Sequence, residues 1–355
     1  MAKETFDVAV AFAPQSGEGV YDPTLDAIAA NLSGDPDGTD DGLLLGDPES
    51  GVAESGLALS IGRVGRPKAY LAGSFTRSIS DFLRAEVRSL AFSFPWCGSR
   101  RTTTTPVDAD FQALRGVEAI LGGTGLIGAA YAAGTGWHYK FGASVPFSGL
   151  LYYFGNRLEL LDCRTSSLTF SYTPGSIPIA TAEIAVGSIK DPSSDTIAPA
   201  ALPTLDYGAQ ADESAAVVES IGHQWGGITR GFSSLDLVIA PEVQDIPDSN
   251  ANNGVIREAS GRETTINATI FADDTDAVYA LKQAFADSLT DLGAWEFQVG
   301  AAAGAAEIAK AILVTAPRLE LETTDPDRLG TFAVNTVTLH PRSSAANNEL
   351  NMIMV

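Results

Sequence analysis

Apolar and polar residues alternate along most of the chain in short runs separated by turn residues, the period-two signature of strands with one buried face. The clearest runs are Phe6–Phe12, Ser89–Phe94, Trp137–Phe141, Leu150–Leu160, Ala182–Ile189, Phe232–Ile239, Thr264–Phe271, Trp295–Val299, Ala309–Leu321 and Thr331–Leu339. Two segments follow helical spacing instead. Asp110–Leu121 aligns Phe111, Leu114, Val117 and Leu121 on one stripe, and Asp274–Ala286 does so with Val278, Leu281 and Phe285. Asp108 and Asp274 are candidate N-caps for them. The order strand, strand, helix, strand, strand, strand is thus written twice. It predicts a mainly β (α+β) chain of two tandem β-sandwich or open-barrel domains, each with one flanking α-helix.

The residues themselves echo this order. Ser60-Ile61-Gly62 returns as Ser220-Ile221-Gly222, Trp137-His138-Tyr139-Lys140-Phe141-Gly142 as Trp295-Glu296-Phe297-Gln298-Val299-Gly300, and Arg157-Leu158-Glu159-Leu160 as Arg318-Leu319-Glu320-Leu321. The shifts are 160, 158 and 161 residues, too long for a solenoid repeat and right for a duplicated domain. The expected division is a first domain over 1–190 with an acidic N-terminal extension, a Pro-containing linker over 191–205, and a second domain over 206–355. In the extension, Asp22-Pro23 is expected to start a short helix ending near Gly34, followed by a loop over Asp35–Glu49. The copies differ most between Phe232–Ile239 and Thr264–Phe271, where more than twenty residues read as a contact loop, Pro241–Glu263.

At 355 residues and 45% hydrophobic content the chain can bury sizeable cores. The formal net charge of −22 argues against a nucleic-acid grip, which needs cations to displace counterions. Residues 1–50, 51–190 and 191–355 carry nets of −10, +4 and −16. The middle stretch holds Arg63, Arg66, Lys68, Arg77, Arg84, Arg88, Arg100 and Arg101. Two readings of this asymmetry stand: head-to-tail complementarity between copies, and solvated charge that keeps an abundant protein in solution. Cys97 and Cys163 form neither a disulfide framework nor a metal-ligand cluster and fit a reducing compartment. The acidic start lacks the pattern of an export leader, and no 18-residue apolar span follows, so a soluble protein is expected.

Motifs for chemistry fail on context. Gly123-Thr-Gly125-Leu-Ile-Gly128 matches the dinucleotide fingerprint but follows a helix, and no acid lies between Glu118 and Glu159 to hold a ribose, so a flexible loop is expected. Asp248-Ser-Asn250-Ala-Asn252-Asn-Gly254 has its glycine one place late for a calcium loop, with Ala259 where a bidentate glutamate belongs. Asp35–Asp41 reads as turns. His138, His223 and His340 have no fixed spacing to other ligands, and Asp273, Asp274 and Asp276 suit a helix start. No nucleophile elbow is present, and Trp137 and Trp295 read as matched core positions. No catalytic residue, metal site or cofactor is expected.

The layout of each half, a small β-sandwich with one flanking helix, a long loop between early strands and a final strand pair ending in polar Asn347-Asn-Glu349, resembles the tail tube (major tail) proteins of long-tailed bacteriophages. The likeness covers nearly the whole chain by architecture. It implies a structural virion protein whose duplicated tube domain lets three copies close a pseudo-hexameric ring. Rings would stack into a tube passing double-stranded DNA through a continuous β-barrel, without sequence-specific binding and with no membrane role. The implied partners are further copies of the chain and the tail completion, tape-measure and distal tail proteins. Acid would line the bore, so the basic residues of the first half must face a neighbour or the exterior. Ring-stacking contacts are expected from Asp245, Asp248 and Glu258 of the long loop to Arg84 or Arg88 of the adjacent ring. The alternatives are another virion component (baseplate or capsid decoration), a tandem β-sandwich that binds carbohydrate or protein, and an enzyme whose site no motif reveals.

Overall fold

A computed structural model of the chain describes residues 8–17, 19–20, 43–44, 58–63, 85–96, 111–113, 115–132, 136–153, 156–176, 178–189, 223–225, 228–247, 255–271, 292–300, 311–345 and 348–354. In the first half these form β1 (Val8–Pro14), β2 (Leu43–Leu44), β3 (Ala58–Arg63), β4 (Ala85–Pro95), α1 (Arg115–Thr124), β5 (Leu126–Ala132), β6 (Gly136–Phe141), β7 (Phe147–Tyr153), β8 (Asn156–Tyr172), β9 (Ile179–Ala185) and β10 (Ser188–Ile189). The second half supplies β11 (His223–Trp225), β12 (Ile228–Arg230), β13 (Phe232–Pro247), β14 (Val255–Phe271), β15 (Trp295–Val299), β16 (Ile312–Ala316), β17 (Arg318–Leu329), β18 (Phe332–Arg342) and β19 (Asn351–Met354). The chain is mainly β, as its alternation predicts.

The strands build a twelve-stranded and a seven-stranded sheet, antiparallel at every described pair. The backbone of the larger sheet is an eight-strand array in the order β3-β4-β9-β8-β13-β14-β18-β17. Both halves contribute four strands, joined where Leu168–Tyr172 of β8 pairs with Leu235–Ile239 of β13. The seven-stranded sheet also mixes the halves, with C-terminal β19 set between β16 and β6. One hydrophobic cluster accordingly spans residues from Val10 to Met354.

Register explains why the array is stable. Phe94, Ala180, Phe170, Leu237, Ile266, Leu339 and Leu321 lie side by side across seven strands, and none is more than 5% exposed. Full burial of each large member contributes about 1.5–3 kcal/mol. Against this face pack α1 and the tryptophan strands β6 and β15. Trp295, Phe297 and Val299 are buried, while in β6 Tyr139 and Phe141 take the matching inward positions and Trp137 is half-buried. Tyr139 also fixes the helix, its hydroxyl donating to Glu118 Oε1 (3.0 Å) and accepting from the Ala113 N–H (2.8 Å).

Several local expectations are corrected. The Leu150–Leu160 run is two strands, β7 and β8, because the pairing of Tyr153 with Asn156 turns the chain between them. The helix begins at Arg115 instead of Asp110. The glycine motif is not a flexible loop. Gly123 closes α1, Gly125 sits at φ 90° as the left-handed residue that ends a helix, and Gly128 lies within β5. The proposed second helix over 274–286, the caps Asp108 and Asp274, the extension over 22–34, and Ser220-Ile221-Gly222 lie outside the described residues.

Close packing makes one glycine a test of this fold. A Cβ on Gly123 would lie 2.7 Å from Phe147 Cε1 and 2.9 Å from the Thr165 backbone nitrogen, which cannot yield. Gly123→Ala is expected to destabilise the protein by about 1–3 kcal/mol, read as a lower urea midpoint at unchanged slope.

Candidate assembly surfaces

The face of the array opposite the core is polar. Ser171, Asp236, Asn267 and Thr338 lie side by side from β8 to β18, one position away from the apolar row, and Thr323 continues the line on β17 across a bulge after Leu321. A second row, Ser93, Thr181, Thr169, Val238 and Thr265, runs from β4 to β14. Hydroxyls bridge neighbouring strands: Ser93 Oγ lies 2.9 Å from Thr181 Oγ1, and Thr338 Oγ1 donates to Asn267 Oδ1 at 3.1 Å. Alternation places Glu183, Asp236, Glu263 and Glu320 on the same face. At its far end Arg342 is ion-paired with Glu320, and His340 Nε2 lies 2.8 Å from Glu322. The surface is hydroxyl-rich and carries an excess of acid.

A second surface is an arm. The expected loop over Pro241–Glu263 is instead the outer part of a long hairpin, paired from Phe232 and Ile270 out to Pro247 and Val255. The misreading came from Pro241 and Pro247, which signal breaks but stand here within paired strands. Burial shows where the arm leaves the body: Leu235, Leu237 and Ile239 are buried, whereas Glu242, Gln244 and Ile246 are exposed. A bulge between Glu242 and Val243 marks the transition.

Three arginines root the arm. Arg164, only 7% exposed, donates from Nε to the Arg257 carbonyl (2.9 Å) and from Nη1 to the Ser144 carbonyl (2.7 Å) and Oγ (3.0 Å). Arg257 donates to the Val186 carbonyl. Arg262 donates to Glu349 Oε1 (2.6 Å), with its guanidinium 3.9 Å from the centre of the Phe141 ring. The stem of a second-half hairpin is thereby held to β6, β8 and the residues before β19. No sequence motif announces this cluster, because its members lie far apart along the chain.

Of the sequence-predicted contacts, Asp245 and Glu258 stand on the arm, opposite Arg257 and Gln244. Arg88 lies on β4, three strands from the arm's β13 along the array. Asp248 and Arg84 fall outside the described residues. Toward the arm's end the cross-strand pairs are apolar, Ile246 with Ile256 and Pro247 with Val255, which the acidic reading of the loop missed.

The third surface is the pair of array edges. Among the described residues β3 pairs only with β4, and β17 only with β18. The outer part of the β17–β18 hairpin is exposed, with Leu329 at 48% and Phe332 at 56%. Gly330 at φ 61° makes the tight turn.

Titratable groups show packing chemistry. Burial pushes the Cys163 thiol pKa upward, against thiolate formation, and does the same to the Tyr172 hydroxyl. Burial, then the neighbouring Lys140, holds His138 below the usual range. Among the described residues no three His, Cys, Asp or Glu side chains are grouped to hold a metal ion. No helix among them is long and apolar enough to cross a membrane.

The rooting of the arm can be tested directly. Arg164→Ala strands the Ser144 and Arg257 carbonyls and is expected to cost about 2 kcal/mol in denaturant unfolding. Hydrogen exchange should quicken first in the Arg257–Arg262 stem. No protein-family model matches the chain, and no curated protein is significantly similar to it in sequence.

Proposed function

We propose that the chain is the ring subunit of a tail tube like those of long-tailed bacteriophages, with three copies closing a pseudo-sixfold ring and stacked rings enclosing a DNA channel. The observation that carries this reading is the two-faced array, apolar against α1 and the tryptophan strands and clad on its other side in Ser, Thr, Asn and acid. A wall of that composition holds water and repels phosphate, so a duplex slides along it without finding cations to grip.

The strand order supports a duplicated unit. In the first half it is β8-β9-β4-β3 and in the second β17-β18-β14-β13, with Arg157-Leu-Glu-Leu and Arg318-Leu-Glu-Leu opening the corresponding β8 and β17. The projecting arm suits contact between rings, its apolar end seeking burial and its arginine-rooted stem giving it a fixed direction.

Electron micrographs of purified protein at high concentration should show rings or tubes with a central hole. Monodisperse single chains or solid particles would refute the proposal. Removing Asp248–Gly254 should leave rings but shorten or abolish tubes, whereas tubes of normal length would count against a stacking role for the arm. Glu183→Lys with Asp236→Lys should give tubes that retain double-stranded DNA at low salt and release it at high salt, which the unaltered tubes should not do.

A further inference from the structure

We infer that the seam between copies is a β-ladder in which β17 of one chain pairs antiparallel with β3 of the next, repeating between chains the β8·β13 junction found within each chain. The inference rests on the ring reading and names the edges that would meet in it. Three observations lead to it.

The first is position. β8 ends the first four-strand set and β13 begins the second, and these two ends are paired. β17 occupies in the second set the place of β8, and β3 occupies in the first the place of β13. Among the described residues these two strands each lack a second partner. A copy placed at the end of the array therefore finds the same kind of edge that the chain already joins internally.

The second is direction. Seven antiparallel steps separate β3 from β17, so the two run opposite ways and meet antiparallel in a head-to-tail neighbour. The seven-stranded sheet cannot extend this way. Six such steps separate β12 from β5, which leaves them running the same way, and β12 has only three residues.

The third is charge. Along β17 stand Glu320, Glu322, Asp325 and Asp327 with Arg318 and Arg328. β3 carries Arg63 and no acid, and its neighbour β4 carries Arg88 with Glu86. The β17 edge is thus net acidic, and the charge on β3 is that of Arg63. Unlike edges attract, while β17 against β17 sets acid on acid, so pairing is directed toward head-to-tail closure and away from a two-fold dimer. An open edge with exposed backbone groups is a template for pairing with another chain.

Hydrogen exchange on the unaltered protein, assembled and unassembled, tests the seam. Amides in both 58–63 and 318–329 should slow by about tenfold or more on assembly. Cross-linking gives a second readout: in a Cys97→Ser background, Ser60→Cys with Thr323→Cys and a short bis-maleimide should yield covalent trimers, and neither single variant should. Rings seen in micrographs without protection of these segments and without cross-linked trimers would overturn the seam while leaving the ring reading intact. Absence of rings from the unaltered protein would overturn the ring reading, and the seam with it.

Discussion

Strict alternation across a wide antiparallel array is the constraint on which the rest of this protein depends. The row from Phe94 to Leu321 holds because the strands between them stay in register across it, and the adjacent row from Ser171 to Thr338, carried on to Thr323 by a bulge in β17, is its necessary complement. A one-residue slip in any strand would turn Asp236 or Asn267 into the core and leave Leu237 or Ile266 in water. One face must therefore be covered, and α1 with the tryptophan strands covers it. The other face is mainly polar from β9 to β17.

Joining the halves follows from the same ladder. The β8·β13 junction makes four strands into eight without breaking either face. In the smaller sheet the two halves pair differently: β15 pairs with β16, whereas β6, which resembles it in sequence, pairs with β19. Arg262 links Glu349, just ahead of β19, to the Phe141 ring and the arm stem, so C-terminal strand, arm and first-half core are one mechanical unit. The larger sheet thus takes four strands of its array from each half, and the smaller one joins the halves a second time.

Much of this was legible in the sequence, and the reasons for success and failure are physical. The alternating runs marked the core strands because each has one buried face, and Trp137 and Trp295 revealed equivalent strands because both lean on the same core. The arm was not legible, since its outer strands lie beyond the core, lose the alternation and contain Pro241 and Pro247. Nor were β5 and β19: Leu126–Ala132 is nearly all apolar yet exposed at Ile127, Ala129, Ala130 and Tyr131, and Asn351–Met354 is too short to show a period. The pairing of β8 with β13 and the Arg164–Arg257–Arg262 cluster depend on contacts between residues far apart in the chain, which no local pattern encodes.

The central claim, that the polar face of the array is the wall of a channel, is tested most directly by a residue-resolution electron-microscopy map of the assembled particle. The account predicts threefold symmetry with Asp236, Asn267 and Thr338 facing an open axial bore. A map that puts those residues on the outer surface, or that shows no bore, would contradict it.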